Sequence, residues 1–286
     1  MAEYFSFQTA LCFSIAHIFV RRGLVHSNAL TGSFISLGTS AVVFWLLVIA
    51  FIPLAALRTP AIGFFIAGGF FAPAIGQTLG YIGMERLGVA RSSPIVNTSP
   101  IFSSVLAVVF LDEVWVVQNI IGTCLVILGV IVLSSRNAAQ AEWRLKDVSY
   151  PVLAAVSFGI STTLRKIGLT VIAEPLLAAA VTLGTAFIVL LAIIQLRGGR
   201  RQLKINRQSS GWLFGAAVVN TGAILSFFFA LNVGQVVRVE PLVACNPLLT
   251  ILWTGIFLRQ IERLSGRTIL GALITVAGTV LVVTVK

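Results

Sequence analysis

Cutting the chain at every Asp, Glu, Lys and Arg leaves ten uninterrupted stretches of 17 residues or more: 4–20, 23–57, 59–84, 92–111, 114–135, 148–164, 175–196, 208–237, 241–258 and 268–285. A helix needs roughly 17–25 apolar residues to cross the hydrocarbon core of a bilayer. The longest stretch would suffice for two helices, but Gly23, His26, Ser27 and Asn28 read as a loop and leave one helix from about residue 30 to 51. Runs such as 105–110 and 126–133 do not alternate apolar with polar positions, as the strands of a membrane β-barrel would. Unpaired backbone groups in lipid cost several kcal/mol each, which leaves helices as the way across. The pattern predicts an all-α polytopic membrane protein of ten transmembrane helices.

Composition agrees with that solvent. The 286 residues are 58% hydrophobic and 10% charged, against roughly 25% charged in an ordinary soluble domain. Mean hydropathy is +1.02. The net charge of +11 would suggest nucleic acid in a soluble protein. Here the excess sits in loops, notably Arg197, Arg200, Arg201, Lys204 and Arg207, where it fixes topology and meets anionic headgroups. No nucleic-acid partner is expected. Cys12, Cys124 and Cys245 fall inside predicted helices without a CxxC pairing, so they read as buried small apolar residues, with neither a disulfide framework nor a metal site expected. The first four residues lack a basic n-region and the first apolar stretch runs on into Arg21 and Arg22, so helix 1 is expected to be retained.

The chain repeats itself. Arg91, Pro94, Val96 and Pro100 recur as Arg238, Pro241, Val243 and Pro247, 147 positions later. Ser36-Leu37-Gly38-Thr39 matches Thr182-Leu183-Gly184-Thr185 at a shift of 146, and Gly122 and Gly129 match Gly271 and Gly278 at 149. Phe13, Ile15, Gly23 and Leu24 match Phe158, Ile160, Gly168 and Leu169 at 145. Matches in unbroken order, with so small a drift, place two five-helix halves at 1–136 and 148–286, joined by a linker at 137–147. An odd helix count makes the second copy enter the membrane from the opposite side. Inverted repeats of this kind are a recurring plan of secondary transporters, whose substrate sites lie between the copies near the midplane.

The same residues carry a resemblance. Five-helix halves, a proline-rich fourth helix, Leu111-Asp112-Glu113 at its end and Gln118-Asn119-Ile120-Ile121-Gly122 opening a glycine-rich fifth resemble the EamA-type drug/metabolite transporters. The match is clearest over 87–133, and its counterpart runs from 234 to 283. In the second half the acidic pair is replaced by Arg259-Gln260, which suggests that the acidic position shapes a loop. The resemblance implies a ten-helix bundle around a central cavity, exporting a small metabolite or drug-like solute by alternating access, with no cofactor. It implies residence in the cell membrane.

Polar side chains in lipid are costly and usually face the bundle interior or a water-filled cavity. His17, Gln77, Asn97, Ser99, Glu240 and Asn246 are the candidates for a substrate or proton pathway. For His17 the competing reading is a residue near a helix end, beside Arg21; for Glu240 it is a solvated neighbour of Arg238 at the surface. Pro94, Pro100, Pro241 and Pro247 are expected to kink helices 4 and 9 at two levels, since proline removes a backbone donor and clashes with the preceding turn. Gly76 and Gly80 permit a close helix contact. The glycine pairs of helices 5 and 10 predict packing against each other or within a homodimer. Trp45 and Trp253 lie deeper, where the alternatives are an aromatic cavity wall and the commoner lipid-facing or packed ring.

A lipid flippase or a channel would use the same bundle. A membrane-embedded enzyme would need clustered carboxylates or His with basic partners, and the chain has nine acidic residues and two histidines. Lys and Arg number 15 on one side of the ten spans and 5 on the other. That bias places both termini outside, whereas the resemblance places them in the cytoplasm.

Overall fold

The computed structural model describes residues 1–24, 26–87, 95–134, 145–196, 198–246, 248–249, 253 and 266–284. The described residues form helices α1 (Ala2–Leu24), α2 (Ala29–Phe51), α3 (Ala61–Gly69), α4 (Gly76–Leu87), α5 (Ser99–Leu111), α6 (Val117–Ser134), α7 (Ser149–Val171), α8 (Pro175–Leu196), α9 (Arg207–Val233), α10 (Val236–Val243) and α11 (Gly266–Thr284), and no strands. A six-residue π segment, Phe70–Ile75, joins α3 to α4. Asn28 starts α2 by accepting from Thr31 N at 2.9 Å, and Asn206 starts α9 by accepting from Gln208 N at 3.1 Å. Each side chain satisfies a backbone donor that the first turn leaves orphaned.

Five described stretches are long and apolar enough to cross a membrane: Leu30–Phe51, Ala61–Gly80, Lys146–Val171, Pro175–Leu196 and Arg207–Val233. Three shorter apolar helices, Ser99–Leu111, Val117–Val132 and Leu273–Val282, accompany them. Most of predicted helix 9 lies outside the described residues. The apolar surface shows which solvent the bundle meets. On α2, Val42, Leu46 and Ile49 are exposed, while Phe44 and Val48 are buried against Leu183, Leu190 and Phe228 in the core. An apolar stripe turned outward is costly in water and neutral in lipid.

Two expectations need correction. The cut at charges ended a span at residue 164, but α7 runs on to Val171, so Arg165 and Lys166 stand inside a helix and not in a loop. Their cationic heads are tolerated there because backbone carbonyls of other helices receive them. Pro100 does not stand in a helix interior either; it lies in the first turn of α5, where a missing N–H costs nothing. The interruption is upstream, at the Asn97–Thr98 turn. A second interruption falls at Ala244–Cys245, 147 positions later and again three and two residues before a proline. The fourth helix of each half is thus broken at the same repeat position. Pro94 and Pro247 lie outside the described residues, whereas Pro241 stands inside α10.

The repeated glycines find each other. A methyl group on Gly278 would lie 2.6 Å from Gly122 O, and one on Gly129 would lie 2.8 Å from Gly271 O. Helices α6 and α11 therefore meet backbone to backbone, as small residues at membrane helix interfaces allow. Gly76 and Gly80 likewise face α7, at Ser157 and Ala154.

Contacts also sort the loops to two ends. At one, Ser27 Oγ donates to Lys204 O at 2.8 Å and Asn28 Nδ2 to Gln202 O at 2.7 Å. Arg22 stacks over Trp212 at 4.8 Å beside them. At the other, Ala2 packs on Gly234, and Glu113 reaches Val236.

Candidate functional site

The α3–α4 break is the centre of the site. Pro73 cannot donate to the turn before it, and Ala72 turns extended, with φ −152° and ψ 136°. Carbonyls of the broken turn would be orphaned in lipid, but α7 supplies donors. Ser161 Oγ lies 2.7 Å from Gly68 O and 2.8 Å from Ala72 O. One turn on, the Arg165 guanidinium donates to Ala72 O and lies over the Phe228 ring of α9 at 5.5 Å. Gly68 makes room, since a methyl there would meet Arg165 Cγ at 3.2 Å. Irregular backbone at membrane depth is tolerated where neighbouring side chains re-satisfy it in this way.

The same face of α7 also reaches α10. Thr162 Oγ1 donates to Glu240 Oε1 at 2.5 Å, joining α7 to α10. Glu240 is only 8% exposed, so it is not a solvated neighbour of Arg238 at the surface. Arg165 is close enough for its charge to act on Glu240, yet the pair is not in contact: among the described residues the one ion pair is Met1–Glu3. The Arg165 Nε–H, also buried, has no hydrogen-bond partner among the described residues. A cation and an anion are thus buried side by side, each held mainly by neutral groups.

A third cluster closes the corner between α9 and α10. Lys166 Nζ donates to Leu231 O at 2.7 Å and Gly234 O at 2.6 Å, at the C-terminal end of α9. Glu113 Oε1 and Oε2 accept from Val236 N at 2.9 Å and Val237 N at 3.0 Å, at the start of α10. A cation at a helix C-terminus and an anion at an N-terminus both complement the helix dipole. The acidic position that the sequence assigns to loop shaping is therefore a helix cap supplied from the other half. Its counterparts Arg259 and Gln260 lie outside the described residues.

Beyond the break runs a polar seam. Gln77 Nε2 donates to Ser33 Oγ at 3.1 Å, Asn220 Nδ2 to Ser36 Oγ at 3.2 Å, and Ser40 and Thr221 share a hydrogen bond of 2.7 Å. Ser33, Ser36 and Ser40 lie on one face of α2, by helical spacing. The sequence pattern singles out Gln77 and not the others; serines at i, i+3 and i+7 in an apolar helix are the signal that could have found them. His17 is exposed on α1 and stacks on Phe13 at 6.4 Å. One turn before it, Ser14 Oγ accepts from Trp253 Nε1 at 3.1 Å. Asn97 is half-buried in the interrupting turn, Ser99 opens α5, and Asn246 donates to Val243 O at 3.2 Å beside the second interruption. Glu240 is the one expected site residue tied to the break through α7. Among the described residues no three His, Cys, Asp or Glu side chains gather as a metal site would need.

Long apolar helices with outward apolar stripes and a polar interior define an integral, multi-pass membrane protein. The chain belongs to the EamA-like transporter family, whose model matches residues 1–135 and again 147–284. A crystal structure of a protein superposes on it with a TM-score of 0.82 at 13% identity, covering 100% of this chain and 99% of that one. At that identity the likeness speaks for the fold. No curated protein matches the sequence.

Proposed function

We propose that the protein is a secondary transporter of the cell membrane, exporting a small metabolite or drug-like solute by alternating access. In this reading ten helices form two inverted repeats, 1–136 and 148–286, with 137–147 as the linker. The solute moves between them past Gln77, Asn97, Ser99, Glu240 and Asn246, with His17 at the α1 side. The observation that carries it is the pair of helix interruptions, Asn97–Thr98 and Ala244–Cys245, 147 positions apart. Discontinuous helices at corresponding positions of two halves supply joints at which the two halves can rock, which a rigid bundle does not need.

The test is counterflow in proteoliposomes. Vesicles loaded with an unlabelled solute should accumulate the same labelled solute transiently, across a panel of amino acids, sugars, nucleotides and cationic drugs. Saturable exchange of one class is the expected result. Movement of a fluorescent phospholipid between leaflets without solute exchange would assign a flippase instead. A steady, non-saturating ion conductance would assign a channel.

A further inference from the structure

We propose that Glu240, held by Thr162 and balanced by Arg165, is the proton-binding site that couples transport to a proton gradient. This rests on the transporter reading above and adds the coupling ion to it. The carboxylate takes a proton from water on one side of the membrane, becomes a neutral carboxylic acid, and returns the proton to water on the other side.

The geometry carries the argument. An ionised carboxylate buried at membrane depth is costly unless a cation pairs with it. A contact ion pair would lock Glu240 in its charged form, and a wholly apolar setting would lock it neutral. Glu240 has neither setting. Arg165 is buried and acts on it through space while its guanidinium is held on Ala72 O and over Phe228. The nearer partner, Thr162 Oγ1 at 2.5 Å, serves both forms, because a hydroxyl both donates and accepts. The Nε–H of Arg165 is left without a hydrogen-bond partner among the described residues, so the guanidinium balances Glu240 by charge and not by contact.

Other charges around α10 are already engaged or differently placed. From α7, Lys166 is turned to the carbonyls of Leu231 and Gly234. Between α5 and α6, Glu113 is bound to the N–H groups of Val236 and Val237. From α1, Glu3 lies near Arg238 of α10 itself and pairs with the N-terminus, while His17 stacks on Phe13. Helix α6 carries only the exposed Cys124, α9 carries only Arg207 at its far end, α11 carries Arg267 in its first turn, and α5 carries no ionisable side chain. Of His17 and Glu240, the two ionisable side chains among the pathway candidates, Glu240 is therefore the one wired to the rest. Ser161, Thr162 and Arg165 share little more than one turn of α7, so a change of charge at Glu240 is felt at the α3–α4 break in the opposite half.

The proton alone serves as the probe. In the full-length protein reconstituted in liposomes, infrared difference spectra across a pH titration should show the carbonyl stretch of a buried carboxylic acid. That band should vanish in Glu240→Gln and persist in Glu3→Gln. Arg165→Met should move its midpoint about one pH unit or more upward, since the carboxylate loses a positive neighbour, and Arg165→Lys should restore much of the shift. Ser161 keeps one donor at the break in both variants, and size-exclusion profiles verify the fold. An unchanged band in Glu240→Gln overturns the proposal, as does a midpoint indifferent to Arg165→Met. A pH dye trapped in the vesicles measures proton flux independently of the spectra. Counterflow by the wild type with no accompanying proton flux overturns coupling and leaves transport standing. Absence of counterflow for every solute refutes the transport reading instead, with the Glu240 titration still readable.

Discussion

Arg165 and Lys166 are adjacent in sequence and serve different helices, because successive residues on a helix point about 100° apart. Arg165 turns to the broken α3–α4 junction and Lys166 to the end of α9. Neither was legible from the charge-cutting rule, which equates a charge with a loop; what makes them tolerable is acceptors from distant segments, which no local pattern records. Glu240 was legible because a polar side chain next to an apolar span is costly in lipid, and it stands beside Pro241 between two such spans. Glu113 offers a direct test at this scale. Replacing it by Ala removes both acceptors for Val236 N and Val237 N, and should cost about 0.5–2 kcal/mol of stability, as loss of a helix cap does. Thermal unfolding in detergent should show a lowered midpoint for Glu113→Ala and a smaller loss for Glu113→Gln, which keeps one acceptor.

At the scale of helices, the glycines separate into those that touch and those that do not. Gly129 meets Thr275 and Gly271 closely enough that a methyl group would overlap backbone, whereas Gly63 has nothing within 4 Å. Gly129→Ala should therefore destabilise by about 1–3 kcal/mol through overpacking, measured by thermal unfolding in detergent. Gly63→Ala should be neutral or slightly stabilising, because alanine favours the helix. Equal effects would mean that α6 and α11 do not pack as described. The seven-residue glycine spacing made this contact readable in advance, since it puts small residues on one face at two levels. The α3–α4 break was not readable: Pro73 was surrounded by glycines that suggested close packing, and hydropathy is indifferent to whether an apolar stretch is continuous. The repeat gave no hint either, because α9, the corresponding helix of the second half, is unbroken from Arg207 to Val233.

For the whole molecule, the proposal of an inverted repeat predicts that 1–136 superposes on 148–286 about a near two-fold axis lying in the membrane plane. An axis along the membrane normal in an experimental structure would overturn it. Orientation is the second question at this scale, and the two ends of the bundle differ sharply in charge. The end where Ser27 and Asn28 hold the carbonyls of Lys204 and Gln202 also carries Arg22, Arg201 and Arg207. The opposite end keeps Arg58 and Arg238, while Arg165 and Lys166 are engaged by carbonyls inside the bundle. Lys and Arg in short loops favour the cytoplasmic side, so the 197–207 loop should be cytoplasmic and Arg58 and both termini external. Cysteine labelling decides this in a variant lacking Cys12, Cys124 and Cys245. Gln208 is the right reporter for the basic end, being exposed where the neighbouring Ser209 is buried. An impermeant thiol reagent added to intact cells should label Arg58→Cys and spare Gln208→Cys until the membrane is opened. Labelling of Gln208→Cys alone would reverse the orientation, place the termini in the cytoplasm as the family resemblance implies, and mean that charge bias does not set topology in this chain.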